Sequence, residues 1–333
     1  MSRTLFLLLV VVATCAPFAS GAQPKYRAPR TESGHPDLQG VWNFNTNIPL
    51  QRPAAYADKP FFTKEDVDKR RSEIKNGLAA IAKFAPIEAV GLDWFDNTVL
   101  IEDLRSSLIT YPANGRLPAL VAGVRRLPNI EDVVTLLGDP KGSKISPQQL
   151  SAFAAAFLGG RKDSHRDFNM MERCLIGINV PLVPELADNY VQIVQSGDSV
   201  ALVTDFDRRI IAVDGKPPIG DNVRSWAGIS RGRWEGDTLV VVTTNFDGRA
   251  PSLAGAGNSR DKVVTERFTR TAANVMQYAA TVGYPKTFQD RVELSFAMAM
   301  ADERIYEGAC HEGNYSLRNS LLAARQQDAE TKK

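Results

Sequence analysis

Hydrophobic and polar positions alternate along most of the second half of the chain. Met276, Tyr278, Ala280 and Val282 fall on one parity, and Val292, Leu294, Phe296, Met298 and Met300 fall on one parity against Arg291, Glu293 and Ser295. A period of two marks a strand with one buried and one wet face, so both stretches predict half-buried antiparallel strands. The same pattern predicts strands over 190–195, 199–204, 209–213, 232–234, 238–242 and 263–270, with 305–310 as a closing strand. Ser196-Gly197-Asp198, Asp214-Gly215-Lys216 and Glu235-Gly236-Asp237 punctuate them as turns. Near the N-terminus, residues 37–44 add a first strand carrying Leu38, Val41 and Trp42. About eight to nine strands predict a mainly β chain folded as a closed antiparallel β-barrel, which removes exposed edges and can hold one ligand. A sandwich of the same strands is the alternative.

Between about residues 55 and 160 the period changes to near 3.6, which predicts helices inserted after the first strand. Thr63 and Asp66 form an N-terminal capping pattern, followed on one face by Val67, Ile74, Leu78, Ile81 and Ala85 before Pro86. A second helix is predicted from Ser146, with Pro147 in its first position, Gln149 completing the cap, and Leu150, Phe153, Ala154, Phe157 and Leu158 as its apolar stripe. Residues 131–137 predict a shorter one. The organisation read from the pattern is therefore a leader (1–22), an arm with the first barrel strand (23–54), a helical insertion or lid (55–165), the barrel (166–315), and a polar C-terminal helix and tail (316–333).

The leader changes the picture of where the protein works. Met1-Ser2-Arg3 is a basic start, residues 5–12 are apolar, and Ser20-Gly21-Ala22 offers small residues for cleavage, which predicts a secretory signal peptide and a periplasmic or secreted protein. The apolar run is shorter than the about 20 residues of a membrane span, so no membrane insertion is expected. Beyond the leader only Cys174 and Cys310 are left, and an oxidising compartment favours a bridge between them, the other reading being two unpaired buried thiols. A formal net charge of +2 with alternating signs excludes a nucleic-acid partner of the electrostatic kind.

The Gly40-Val41-Trp42 segment resembles the opening strand of calycin barrels such as lipocalins. Gly34-His35-Pro36-Asp37-Leu38-Gln39-Gly40-Val41-Trp42, Glu172-Arg173-Cys174, residues 191–195, residues 230–241, Glu266-Arg267-Phe268-Thr269-Arg270 and residues 309–315 together resemble a widespread, largely uncharacterised family of exported bacterial proteins. The resemblance spans about residues 30–318 and implies export without naming an activity. Members often carry His-Asp-Ala-Arg where this chain has Phe206-Asp207-Arg208-Arg209, so a mechanism that needs that histidine is in doubt here, while Asp207 and Arg209 match.

Candidate chemistry is sparse. Of three histidines, His35 and His165 read as solvated or structural, and His311, between Cys310 and Glu312, is the candidate acid or ligand contact. Neither an HExxH nor a CxxC pair occurs, so no metal is expected; carboxylates such as Asp205, Asp207 and Asp221 read as turn formers. Nucleophile elbows and nucleotide-binding loops are also missing, and no cofactor is expected. Asp207 or Glu312 as base, His311 as acid, and Arg209 or Tyr190 stabilising negative charge form the expected catalytic set. Trp226, Arg231, Trp234, Arg173 and Tyr278 are the expected substrate contacts. The function expected is the handling of a small apolar or aromatic molecule, by a cofactor-independent lyase, isomerase or hydrolase or by a lipocalin-like carrier.

Overall fold

The computed structural model describes residues 26–84, 99–124, 163–168, 173–175, 180–184, 189–249, 253, 256 and 260–331. The expected signal peptide and the helices expected at 131–137 and from Ser146 lie outside these residues.

Ten strands follow in chain order: β1 (Gly40–Asn43), β2 (Ile109–Tyr111), β3 (Tyr190–Ser196), β4 (Ser199–Val203), β5 (Arg208–Ala212), β6 (Ile229–Glu235), β7 (Thr238–Thr244), β8 (Val263–Ala272), β9 (Val275–Gly283) and β10 (Val292–Ala301). Nine of them, β1 and β3 to β10, pair in sequence, and β1 pairs with β10 to close a barrel; β2 adds on to the start of β10. Among the described residues two α-helices accompany it, α1 (Lys64–Phe84) and α2 (Tyr315–Thr331).

The closed barrel agrees with the sequence pattern, with two corrections. First, the barrel is mixed: β5 and β6 run parallel, with Ala212 opposite Arg231. Parallel neighbours need a crossover in place of a two-residue hairpin. Residues 213–228 supply it, so the Asp214-Gly215-Lys216 turn leads the chain away from the sheet. Asn245 secures the crossover, its amide donating to the carbonyls of Ile219, Gly220 and Val223 at 3.3, 3.0 and 2.9 Å. Second, residues 305–310 form no strand; β10 itself closes on β1. The expected helical insertion also contributes a strand, β2. Arg105 extends that seam, donating to the carbonyl of Ser295 at 2.8 Å and to its hydroxyl at 3.1 Å.

Alternation explains the core. Along β9 every second residue is buried, and on β8 and β10 the buried positions fall in register with it. Leu239, Phe268, Tyr278 and Phe296 therefore form one inward row across four strands. Phe268 and Tyr278 meet edge to face at 5.1 Å, the Tyr278 and Phe296 rings lie 4.8 Å apart and tilted by 37°, and Phe44 stacks on Phe296 at 5.9 Å. Trp42 is fully buried and satisfies its indole N–H on the Leu38 carbonyl at 2.9 Å. Such side chains bury large apolar areas and fill a barrel of this strand number. The described side chains thus pack the lumen.

The N-terminal arm closes one end. Gln195 accepts the Leu38 amide at 2.6 Å and donates to the Pro36 carbonyl at 3.0 Å, Arg270 donates to the Asp37 carbonyl, and Arg30 pairs with Asp237. His35 stacks on Trp234 at 5.0 Å with the rings 10° from parallel. These contacts reach the β3–β4, β6–β7 and β8–β9 hairpins, so the open chemistry lies at the other end.

Helix α1 starts as its sequence predicts. Thr63 Oγ1 accepts the Asp66 amide at 3.1 Å while the Asp66 carboxylate accepts the Thr63 amide at 2.9 Å, a reciprocal cap that satisfies two helix-end groups. Among the described residues no helix is long and apolar enough to cross a membrane.

Candidate functional site

The C-terminal segment reaches the open end by docking on the β4–β5 turn. Ala301, Val41, Gln192, Val203 and Arg208 lie opposite one another across β10, β1, β3, β4 and β5. The chain leaving β10 therefore starts level with the β4–β5 turn and crosses to meet it. Thr204 closes that turn, its amide donating to the Asp207 carbonyl at 2.9 Å and its hydroxyl accepting the Asp207 amide at 3.1 Å.

Two contacts dock the segment. The Gly308 amide donates to the Asp205 carbonyl at 2.8 Å, and Glu307 pairs with Arg208 at 3.3 Å. Gly308 is required by close approach, because a Cβ there would sit 2.0 Å from the Phe206 ring. A disulfide between Cys310 and Cys174, with Cα atoms 5.6 Å apart, completes the wall. The bridge expected from the two cysteines is thus formed, and an internal disulfide fits an extracellular location.

Between these elements opens a cleft of about 390 Å³ lined by Asp205, Phe206, Asp207, Arg208, residues 307–312 and Cys174. It unites three of the five expected catalytic residues, Asp207, His311 and Glu312. Asp207 is half-buried, and burial pushes its carboxyl above the usual range, against the lowering effect of the Arg208 amide and of the Arg209 and Arg208 charges. His311 and Glu312 are exposed. Among the described residues no group of three or more His, Cys, Asp or Glu is arranged to hold a metal ion.

Arg209 and Tyr190 do not line the cleft. Tyr190 opens β3 and its hydroxyl accepts the Asn43 amide at 3.1 Å. Arg209 points inward because it shares parity with Ile211 on β5. There it forms a bidentate pair with Glu266 of β8, Nη1 to Oε2 at 2.6 Å and Nη2 to Oε1 at 3.0 Å, with 7% and 0% of the two side chains exposed. Tyr278 donates to Glu266 at 2.8 Å and accepts the Leu182 amide at 2.9 Å. Burial and the Glu266 charge hold the Tyr278 hydroxyl well above its ordinary range. Burial opposes the charge on Arg209, yet Glu266 outweighs it and the guanidinium stays above its ordinary value. The row Val241, Glu266, Ala280, Leu294 makes room for the pair, since the small Ala280 lies directly opposite the carboxylate.

Glu266 was not among the residues expected to act. Its signal is parity: on β8, Val264, Glu266 and Phe268 occupy the inward positions, so a carboxylate there must find an internal cation.

Lys262 extends this internal cluster. Its ammonium donates to the Val180 carbonyl at 2.7 Å and lies 4.3 Å from the centre of the Phe246 ring. Burial lowers its pKa to about 8, with Glu266 opposing and Arg209 reinforcing the shift. A lysine depressed from 10.5 to about 8 is costly to the fold below pH 8, and that cost disappears as pH rises from 8 to 10.5 because the unfolded chain then holds the extra proton. Urea unfolding of wild type and Lys262→Met should therefore diverge, the wild type gaining about 3 kcal/mol over the variant between pH 7 and pH 11. A pH-independent difference would contradict this assignment.

The expected substrate contacts are dispersed. Tyr278 is buried in the lumen, Trp234 is covered by His35, and Trp226 carries the Arg249 guanidinium at 4.3 Å. Arg231 pairs with Asp214 at 2.6 Å on the outer face, beside a small cavity of about 50 Å³. Arg173 is half-buried beside the bridged Cys174. The fold and site define a closed, nine-stranded mixed β-barrel with a packed lumen and a polar cleft at one mouth. No protein family, curated protein or solved structure matches the chain.

Proposed function

We propose that this is an exported small-molecule enzyme that works by cofactor-independent proton transfer in the mouth cleft, in the manner of a lyase, isomerase or hydrolase. One observation carries the reading: Asp207 and His311, distant in sequence, line the same open cleft, and the carboxyl of Asp207 is raised by burial. A carboxyl moved toward neutral pH exchanges protons with a substrate more effectively than an ordinary aspartate, and an imidazole across the cleft can return the proton. Asp207 serves as base, His311 as acid, and Glu312 borders both. Arg208, which lines the cleft, takes the anion-stabilising part expected of Arg209.

The substrate is a small molecule with an apolar face and a polar edge. Phe206, Ala309 and the disulfide offer the apolar wall, while Asp207, Arg208, His311 and Glu312 offer the polar one. The carrier alternative requires an empty lumen, and the packing of Trp42, Phe44, Phe268, Tyr278 and Phe296 weighs against it. Membership of the exported bacterial family that the motifs resemble belongs to the same proposal.

Mass spectrometry of small molecules retained by protein purified from an oxidising compartment supplies the candidate substrate. Its turnover should fall by about 10²- to 10⁴-fold in Asp207→Asn and in His311→Gln. Wild-type turnover in both variants would overturn the reading.

A further inference from the structure

We propose that Glu266 is a positioning residue: by clamping both arms of the Arg209 guanidinium inside the barrel, it keeps Arg209 off Asp207 and leaves the Asp207 carboxyl to the cleft. This rests on reading the cleft as the site of proton transfer.

The argument begins with strand parity. Asp207 and Arg209 are two residues apart, so their side chains leave the same face of the chain about 7 Å apart. An arginine that pairs with a neighbouring aspartate holds it ionised. Here the pairing goes elsewhere. Both Nη atoms of Arg209 engage Glu266, at 2.6 and 3.0 Å, and Tyr278 holds Glu266 in turn through a 2.8 Å hydrogen bond. The Tyr278 hydroxyl is itself fixed by the Leu182 amide at 2.9 Å, so the clamp is oriented from two sides. Bidentate geometry occupies the arginine fork and neutralises its charge at the same time.

Asp207 is left with the Arg208 amide, which donates to its Oδ1 at 2.8 Å. The other charged groups around it are Arg209, whose clamped charge still lowers the carboxyl, and those of the cleft, namely Asp205, Arg208, Glu307, His311 and Glu312. Arg208 pairs with Glu307 at 3.3 Å. Burial consequently prevails over the nearby cations, and the carboxyl keeps a raised affinity for protons.

The test reads Asp207 directly in the full-length, substrate-free protein, by carboxyl ¹³C NMR with the resonance assigned through Asp207→Asn. In wild type the Asp207 midpoint should lie above that of an ordinary aspartate. In Glu266→Gln the uncompensated Arg209 charge should lower it by about 1 pH unit or more, the effect an arginine has on an adjacent aspartate. Arg209→Gln/Glu266→Gln removes both charges and keeps an amide pair in place, so the midpoint should return close to the wild-type value. This rescue separates charge positioning from general damage to the fold.

An unchanged midpoint in Glu266→Gln overturns the proposal. So does a wild-type midpoint below the ordinary range, or a double-variant midpoint about 1 pH unit or more above wild type, either of which would mean that the Arg209 charge reaches Asp207 at full strength despite the clamp. Should Glu266→Gln fail to fold, the last two measurements still decide. The titration needs no substrate, so loss of the clamp is distinguishable from failure of the proton-transfer reading, which shows only as undiminished turnover in Asp207→Asn and His311→Gln.

Discussion

Glu266→Leu should destabilise the protein by about 3 to 5 kcal/mol in urea unfolding at neutral pH, while Arg209→Leu/Glu266→Leu should recover most or all of that loss. The single variant leaves a guanidinium inside the barrel with its counter-charge gone. Nothing in the surrounding row, Val241, Ala280 and Leu294, can hydrogen-bond it through a side chain. The double variant removes the desolvated charges together and replaces them with apolar volume on a face that is already apolar. Equal losses in single and double variants would show that the pair stabilises the barrel by more than mutual compensation. The comparison also measures how much the fold invests in holding Arg209 away from the cleft.

Cys174→Ser/Cys310→Ser should have the other large effect, a loss of up to about 5 kcal/mol by the chain-entropy estimate for a bridge spanning 136 residues. The cost falls on the candidate site as well as on overall stability. Residues 307–312 form one wall of the cleft and the β4–β5 turn the other; with the bridge gone, and with it the Cys174 sulfur that Asn314 contacts at 3.1 Å, the Gly308 amide and the Glu307 pair remain to hold the segment there. The Arg208–Glu307 pair is highly exposed on both sides, and such pairs contribute little. Thermal unfolding with and without reductant checks the stability. Hydrogen exchange of the 307–312 amides checks the site, and should accelerate in the variant even where the barrel amides stay protected. Unchanged protection at 307–312 would mean that packing of Phe206 on Gly308, rather than the bridge, holds the wall.

Some of this was legible along the chain and some was not. Strands β9 and β10 were plain, because one inward and one outward residue alternate without a break over their length. The start of α1 was equally plain in Thr63 and Asp66, whose cap needs only local geometry. The parallel pairing of β5 and β6 was hidden. A Gly-containing turn after β5 has the same sequence in a hairpin and in a crossover, and what distinguishes them is Asn245, far downstream, gathering the carbonyls of residues 219–223. Residues 305–310 read as a closing strand, whereas their place in a cleft wall depends on docking against the β4–β5 turn.

The site divides in the same way. His311 beside Cys310 could be picked out because histidines are few and the cysteine restricts where it can lie. Glu266 could have been found by asking which charged residue occupies an inward position, and Arg209 answers the same question on β5. That the two would meet follows from strand order, and that Asp207 would share a cleft with Phe206 and His311 follows from the docking of the C-terminal segment.

The sequence by itself determined the elements, their parity and the choice of residues available for chemistry, because alternation, capping and turn formation act over a few bonds. Only the tertiary structure decided partners. Closure of β10 on β1, the parallel step from β5 to β6 and the crossing of residues 302–312 are long-range contacts whose free energy depends on packing across the whole barrel. Those contacts turn a scattered aspartate and histidine into the two sides of one cleft.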